Sequence, residues 1–352
     1  MGSFLLRIAE ENSVPAGGAL AVNRDEFSQA VTEKISSHPN IHVTHAEVTE
    51  LSDEPTVIAA GPLCSDSLYE AISQRIGTSK MSFFDAAAPI VSEESIDRSI
   101  AFSQSRYEDL GIGDYLNCPM NKEEYDRFVD ELLAAKRVIG HDFDQSDLFQ
   151  ACQPIEEVAR TGHDSIRFGA LKPVGLIDPR TGKRPWAAVQ LRAENTAKTA
   201  FNLVGFQTNL TWGEQKRVFS LIPGLGNAEF VRYGVMHRNS FVDSPHALDE
   251  SFGIPGTNTI LAGQITGTEG YVEAIASGLL AALNMYARLI YSEPVRLPLT
   301  TSFGSLVGYA TNPETKDYQP MHVNFGIFEP LSEHIKRKDE RRQKMTERAH
   351  RD

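Results

Sequence analysis

The amino-acid sequence predicts an α/β protein in which a layered domain is interrupted by a mixed α+β insertion. Strand-like and helix-like segments alternate over residues 19–76, as they do where helices cover a parallel sheet. Between about residues 82 and 250, short strand candidates are instead separated by proline, glycine and charged turns. The α/β pattern returns at 257–284, so the two outer segments are predicted to form one domain.

The first segment is predicted to contain three helices and three strands. Apolar residues at helical spacing predict helices at 3–11, 23–37 and 65–76, the second with Asn23 or Asp25 as its N-cap. Strands are predicted at 19–22, 41–51 and 56–62. The range 41–51 alternates between apolar and polar residues, whereas 56–62 is mostly apolar, as in a strand buried on both faces.

The later elements follow from the same patterns. Residues 83–91 are apolar and contain a proline, and residues 117–135 read as a turn followed by an amphipathic helix. Strands are predicted at 186–193, 200–208 and 217–222, and a basic helix at 336–351 follows a proline-marked segment. The predicted domains are therefore 1–81, 82–250, 251–295 and 296–352.

Composition predicts a soluble cytoplasmic protein. No apolar run approaches the roughly 20 residues that span a bilayer, and the N-terminus lacks the pattern of a signal peptide. Three cysteines, an odd number, argue against a disulfide framework, and their spacing does not indicate a zinc site. The net charge of −13 disfavours nucleic-acid binding, but residues 336–351 hold eight Lys or Arg against three acids. This basic helix is either a solvated terminus or a contact for RNA phosphates.

The stretch "TNTILAGQITGTEGYVEAIASGLLAALN", residues 257–284, reads as a buried strand, a glycine-rich turn and a helix with small residues. Such an arrangement presents free backbone N–H groups to an anion, commonly a phosphate. A purely structural helix start is the alternative. The residues expected to allow close backbone approach or polar contact are Gly263, Gln264, Thr266, Gly267, Glu269 and Gly270.

Several long motifs resemble one family. The glycine turn resembles the second flavin motif of glutathione-reductase-type flavoproteins, and "TVIAAGP" resembles the other flavin-associated strand of that fold. Further motifs are "VPAGGALAVNRDEFSQAVT", "FFDAAAPIV", "YLNCPMNKEEYDRF", "CQPIEEVARTG", "KPVGLIDPRTGKRPWAAVQLR", "VGFQTNLTWGEQKRVFSLIPGL", "EFVRYGVMHRNSF" and "HVNFGIFEPL". Together they identify a member of the GidA-related family of folate- and FAD-dependent tRNA (uracil-5-)-methyltransferases, over essentially all 352 residues.

The resemblance implies a fold and a reaction. The outer segments would form a glutathione-reductase-type FAD-binding domain, and the insertion would serve folate and tRNA. The reaction implied is methylation of uracil C5 in the T-loop of tRNA. Its carbon would come from 5,10-methylenetetrahydrofolate, with FAD as cofactor and NAD(P)H as reductant.

The resemblance places the nucleophile on Cys152, whose thiolate would add to C6 of uracil. Arg160 or Arg167 could lower the pKa of this thiol if the fold brings them close. The alternative for Cys152 is a small buried apolar residue. Cys64 and Cys118 are expected to be structural.

Further residues are candidates for folate or substrate. His237 and Tyr271 could stack on a pterin or on the isoalloxazine ring, or could be ordinary core residues. A cluster around Trp186 would suit a glutamylated folate tail or RNA phosphates, because arginine binds carboxylate and phosphate bidentately. Its members are Arg180, Lys183, Arg184 and Arg192. The alternative is a charged hairpin turn.

The sequence departs from the family at its start. The family opens with a strand, a GxGxxG turn and a helix, and this chain contains no GxGxxG. An incomplete gene model and a genuinely shortened protein are both open interpretations. Two other functions therefore remain: a non-catalytic remnant that binds tRNA or a partner, and a general flavin oxidoreductase, which the insertion motifs disfavour.

Overall fold

The computed structural model describes residues 3–77, 81–138 and 153–352. The chain forms two compact units, Met1–Thr44 with Phe84–His237 and His45–Phe83 with Arg238–Asp352. Residues 3–44 thus belong to the same unit as the central segment, and the domain boundaries given in the sequence analysis stay a prediction. Within the described residues, no helix is both long and apolar enough to span a bilayer.

The elements are numbered in chain order. The helices are α1 (Phe4–Glu11), α2 (Arg24–Ser36), α3 (Asp66–Ile76), α4 (Lys122–Ala134), α5 (Ile155–Arg160), α6 (Ser165–Phe168), α7 (Trp212–Phe219), α8 (Ser244–Ala247), α9 (Tyr271–Leu289), α10 (Ser302–Thr311) and α11 (Lys338–Arg351). The strands are β1 (Ser13–Val14), β2 (Ala21–Val22), β3 (Thr56–Ile58), β4 (Met81–Ala86), β5 (Ile90–Ser92), β6 (Phe102–Ser103), β7 (Tyr115–Met120), β8 (Ala187–Ala193), β9 (Ala200–Leu203), β10 (Phe230–Arg232), β11 (Met236–Phe241) and β12 (Thr259–Leu261).

The first unit is built on a six-stranded sheet of order β10-β5-β9-β8-β7-β6. All its neighbouring strands run antiparallel. Helices α4 and α7 cover the sheet through an aromatic cluster in which Phe206 lies 6.1 Å from Phe128 and 5.3 Å from Phe219, between ring centroids. All three rings are fully buried, so the insertion has its own hydrophobic core.

Helix α5 begins with a buried acidic residue that ties it to a neighbouring loop. The carboxylate of Glu156 accepts hydrogen bonds from the Asn209 N–H at 2.6 Å and the Thr208 hydroxyl at 3.0 Å. Burial raises the pKa of Glu156, and these hydrogen bonds oppose the shift. Next to it, the largely buried Glu157 forms an ion pair with Arg137. These contacts fix the orientation of α5 against the loop at 208–209.

The second unit contains a short parallel pair of strands. Residues Thr259, Ile260 and Leu261 of β12 lie opposite Thr56, Val57 and Ile58 of β3. Helix α3 is held to the unit by the buried Tyr69, whose hydroxyl donates to the Phe241 carbonyl at 2.5 Å. Strand β12 leads into the glycine turn and then into α9, the longest helix described.

Several local predictions are confirmed. Helix α1 lies within the predicted range and has Ser3 as its N-cap, whose hydroxyl accepts from the Leu6 N–H at 3.4 Å. Asn23 caps α2, as one of the two alternatives stated. The amphipathic helix predicted within 117–135 is α4, and the structure shows that it begins with a capping box between Asn121 and Glu124.

Other local predictions are wrong. Residues 41–51 form no strand, and 41–50 are all exposed, so no neighbouring strand completes a hydrogen-bonded ladder there. The range 56–62 is a strand only at β3, where Val57 is 40% exposed. Residues 217–219 belong to α7, and 220–222 form no strand. Helix α10 begins at Ser302, at the end of the proline-marked segment 293–304, and the sequence analysis missed it.

Strand β7 occupies most of a range that was predicted as a turn. Pro119 is unusual in a strand with neighbours, because proline cannot donate a hydrogen bond to the ladder. The structure accommodates it because β6 covers only Phe102–Ser103, which pair with Asn117 and Leu116. Among the described strands, Pro119 therefore has a neighbour on one side only, where it lies opposite Ala188.

Candidate functional site

The candidate site is the glycine turn between β12 and α9. It starts with one turn of 3-10 helix, Gly263–Thr266, and ends at Gly270, the N-cap of α9. Gly263, Gly267 and Gly270 have φ values of 76°, 77° and 101°. Residues with a Cβ rarely adopt this region, so the backbone path requires glycine at these positions.

Hydroxyl groups brace the turn from inside. The Thr266 and Thr268 hydroxyls both donate to the Gly263 carbonyl, at 2.8 and 3.0 Å. The Gly263 N–H donates to the Ser277 hydroxyl on α9 at 2.9 Å. The Gly263 N–H is therefore used within the protein, and this residue offers an anion close approach rather than a hydrogen bond.

A segment near the C-terminus holds the turn from its other side. The buried Tyr318 hydroxyl donates to the Thr266 carbonyl at 2.7 Å. The Met321 N–H donates to the Gly267 carbonyl at 2.9 Å, and the Glu269 N–H donates to the Met321 carbonyl at 2.9 Å. The sequence analysis missed this support, since nothing in residues 318–321 signals a partner some fifty positions away.

Two of the predicted cofactor residues contact one another. The Gln264 side-chain amide donates to the Glu269 carboxylate at 3.0 Å. Glu269 is only 8% exposed. The pair therefore stiffens the turn, and a contact of either side chain with a cofactor stays a prediction.

The start of α9 presents backbone donors. Gly270 supplies no side-chain cap, and the N–H groups of Tyr271, Val272 and Glu273 donate to none of the described residues. First-turn N–H groups have no partner within a helix, and they lie at the positive end of its dipole. Ala274 faces the turn, with its Cβ 3.9 Å from where a Cβ on Gly263 would lie. Open donors beside small side chains suit a bound phosphate group.

The folate and substrate candidates divide between the units. Arg180, Arg184, Arg192 and His237 lie in the first unit, and Tyr271 lies in the second. Arg180 forms a two-bonded ion pair with the buried Asp178, at 3.1 and 3.0 Å, inside a tight turn. Arg184 is exposed, and His237 is partly buried. Tyr271 is 86% exposed, so its ring is open to a stacking partner.

Trp186, the aromatic residue of the predicted arginine cluster, is covered by an arginine from outside that cluster. The Arg167 guanidinium lies 3.8 Å from the centre of the Trp186 ring, and Arg167 Nε donates to the Trp186 carbonyl at 2.8 Å. Arg192 lies in β8 opposite Tyr115. Among the described residues, the cations over Trp186 are Arg167 and, farther away, Lys122.

The cysteines differ in environment. Cys152 lies outside the described residues. Cys118 is fully buried, and burial raises the pKa of its thiol to about 12, so this sulfur is neutral near pH 7. Cys64 is partly buried. Of the two arginines proposed to assist Cys152, Arg160 lies 3.5 Å from Glu157 and Arg167 is stacked on Trp186. Among the described residues, no cluster of His, Cys, Asp or Glu could hold a metal ion.

The fold defines the class of protein. Two solved structures of Aquifex aeolicus GidA match the chain with TM-scores of 0.61 and 0.62 at 15% sequence identity. They cover 82% of this chain, which spans 52% and 54% of theirs, about half their length. The family model described as "Glucose inhibited division protein A" matches residues 1–293. The chain belongs to this GidA family.

Curated relatives are more similar still. A protein of Geobacter sulfurreducens is 52% identical over 351 residues, and one of Bacillus cytotoxicus is 49% identical over 350. Each alignment covers 99% of this chain and 80% of the relative. Both relatives are named methylenetetrahydrofolate--tRNA-(uracil-5-)-methyltransferase TrmFO.

Proposed function

We propose that this chain is a folate- and FAD-dependent tRNA (uracil-5-)-methyltransferase. The observation that carries the proposal is the identity of 49% and 52% with relatives of that name, over 99% of the chain. The carbon comes from methylenetetrahydrofolate and the acceptor is C5 of a uracil in the T-loop of tRNA. NAD(P)H is the proposed reductant, and a reaction on tRNA with folate would take place in the cytoplasm.

The glycine turn is the proposed FAD contact. The open N–H groups at the start of α9 would bind an anionic group of the cofactor, and Gly263 would allow its close approach. Bound FAD would supply the electrons that reduce the transferred methylene to a methyl group. Two observations on this turn support the proposed contact. Three of its residues have a positive φ, and the N-cap of α9 is a glycine, which has no side chain.

Cys152 is the proposed nucleophile. Uracil C5 is a weak nucleophile, but addition of a thiolate to C6 moves the ring electrons so that C5 can attack an electrophilic methylene. Loss of the C5 proton then breaks the bond from the methylene carbon to the folate nitrogen and releases tetrahydrofolate. Addition of a hydride to this carbon, which bound FAD would supply, and expulsion of the sulfur from C6 give the methylated ring. Cys118 cannot take this role, because its buried thiol has a pKa of about 12.

The test is carbon transfer in a purified system. The full chain, reconstituted with FAD and NAD(P)H, is incubated with labelled methylenetetrahydrofolate and with tRNA that lacks the modification. We expect label at C5 of a T-loop uridine, and we expect Cys152→Ala to abolish it. Cys118→Ala is the matched control, because that sulfur is buried in the first unit and its loss should leave transfer intact.

One result would overturn the proposed activity, and a second would overturn the proposed nucleophile. The first is a protein that binds FAD and tRNA but transfers no carbon, which would favour a non-catalytic tRNA-binding role. The second is full transfer by Cys152→Ala, which would remove the proposed nucleophile while leaving the activity in place.

A further inference from the structure

A compact basic surface lies near the C-terminus, beyond the residues that the GidA family model matches. Residues 336–351 carry eight of the chain's 34 Lys and Arg and only three acids, although the whole chain has a net charge of −13. Most of them are exposed, on or just before α11. The basic surface is defined here as Phe325, Lys336, Arg337, Lys338, Arg341 and Arg342.

The cations of this surface are placed where the isolated helix would disfavour them. Arg337 and Arg341 are four residues apart, as are Lys338 and Arg342, so each pair brings like charges together on one face. Both pairs lie at the N-terminal half of α11, near the positive end of the helix dipole. Asp339 and Glu340 in the first turn offset only part of this charge.

Within the described residues these cations have no carboxylate partner. Lys344, one turn farther along, does form an ion pair with Glu333 at 2.5 Å. Arg337, Lys338 and Arg341 form none. An external polyanion would relieve both the like-charge repulsion and the unfavourable dipole interaction.

An aromatic residue adjoins the cations. The Arg342 guanidinium lies 5.2 Å from the centre of the Phe325 ring, and Phe325 stacks on Phe328 at 5.3 Å. Phe325 is 41% exposed. Arginine over an exposed ring, beside a row of cations, is the combination with which proteins bind the bases and backbone of nucleic acids.

The basic surface is connected to the candidate cofactor turn. The Val323 N–H donates to the Glu273 carboxylate in the first turn of α9, at 3.2 Å. Phe325 follows two residues later, so its Cα is within about 7 Å of that of Val323. A nucleic acid on this surface would therefore lie beside the start of α9.

We propose that the basic surface binds the sugar–phosphate backbone of the substrate tRNA. This inference rests on the proposed function for the identity of the nucleic acid. Backbone contacts of this kind are independent of sequence, and each one releases counterions, so affinity falls with salt concentration.

The test compares two triple variants of the full chain. Arg337→Gln/Lys338→Gln/Arg341→Gln removes three cations from the basic surface. Lys34→Gln/Lys198→Gln/Lys216→Gln is the control, since these three lysines are exposed and far from it in sequence, and the change in net charge is the same. Affinity for unmodified tRNA is measured by filter binding over a series of NaCl concentrations.

We expect the basic-surface variant to bind tRNA about 10-fold to 100-fold more weakly at low salt, with a log–log salt slope shallower by about two to three. The control should match the wild type. The exchange Arg337→Lys/Lys338→Arg/Arg341→Lys should keep the slope, because backbone contacts need charge. Unfolding cannot explain a loss, since removing cations from the start of α11 should stabilise the helix.

Equal affinities and slopes for the two triple variants would overturn the inference. The inference would also be overturned if the basic-surface variant lost binding to anionic lipid vesicles while its affinity for tRNA was unchanged. That result would indicate a membrane surface as the partner. A wild-type chain that binds tRNA through this surface but transfers no carbon would support the inference and overturn the proposed function.

Discussion

Gly267 and Tyr318 pack so closely that position 267 has no room for a side chain. A Cβ on Gly267 would lie 2.3 Å from the Tyr318 hydroxyl oxygen, and Gly267 also has a φ of 77°. The same hydroxyl donates to the carbonyl of the preceding residue, Thr266, at 2.7 Å. The glycine turn and the C-terminal segment therefore hold each other in place.

Gly267→Ala should destabilise the second unit by about 2–4 kcal/mol, because it combines a strained backbone with overpacking against a buried ring. Gly256→Ala is the matched control. Its φ is 74°, but a Cβ there would meet none of the described residues within 4 Å, so only the backbone strain of about 1 kcal/mol applies. Urea denaturation gives both free energies. Equal losses in the two variants would contradict the close packing of Gly267 against Tyr318.

Tyr318→Phe should reduce the free energy of unfolding by only about 0.5–1.5 kcal/mol. The reason is that the Thr266 carbonyl keeps a second hydrogen bond, from the Ser244 hydroxyl at 2.8 Å. Tyr286→Phe, at a residue that is 62% exposed, should have almost no effect. A loss as large as that of Gly267→Ala would mean that the Ser244 contact does not compensate.

Glu156→Ala should cost about 2–5 kcal/mol, because it leaves the Asn209 N–H and the Thr208 hydroxyl buried without their acceptor. Glu156→Gln should cost less, since its amide oxygen still accepts one of the two. The exposed Glu108→Ala is the control and should stay within about 0.5 kcal/mol of the wild type. Thermal unfolding of the three variants checks this order of stability losses. A Glu156→Ala variant more stable than the wild type would show that Glu156 destabilises the fold.

The same residue predicts a dependence on pH. A carboxyl whose pKa is raised by burial binds its proton more tightly in the folded state. Its contribution is therefore fully present below the ordinary pKa of a glutamate and is lost as pH rises through the raised folded value. Stability measured across this window should fall with pH in the wild type more than in Glu156→Gln. Identical pH profiles would count against the raised pKa.

His246 should titrate above its ordinary pKa. Its Nδ1 lies 3.0 Å from the Asp243 carboxylate, and this hydrogen bond raises the pKa of the exposed imidazole. Its small contribution to stability is present below the ordinary pKa and is lost as pH rises through the raised value. NMR titration of the ring protons should show the pKa falling in Asp243→Asn and with added salt. If Asp243→Asn left the titration of His246 unchanged, the hydrogen bond to Asp243 would not be the cause of the raised pKa.

Prediction from sequence succeeded where the signal is local. The amphipathic pattern within 117–135 predicted α4, whose buried residues Tyr125, Phe128, Val129 and Leu132 recur at helical spacing. The glycines of the turn were found in the same way, since a positive φ is a property of the single residue. The strand predicted at 217–222 is wrong because four of these six residues are apolar. That pattern fits a buried strand as well as the buried face of a helix such as α7.

The sequence alone determined the family, the capped helices and the positions where the backbone must be glycine, because those features depend on residues close together in the chain. Only the tertiary structure decided that residues 41–51 are not a strand and that Pro119 lies in one. It also decided that Tyr318 packs closely against Gly267 and that Arg167, rather than Arg180, covers Trp186. The physical reason is that hydrogen-bonded ladders, ring contacts and ion pairs join residues tens of positions apart, and no local pattern specifies the partner.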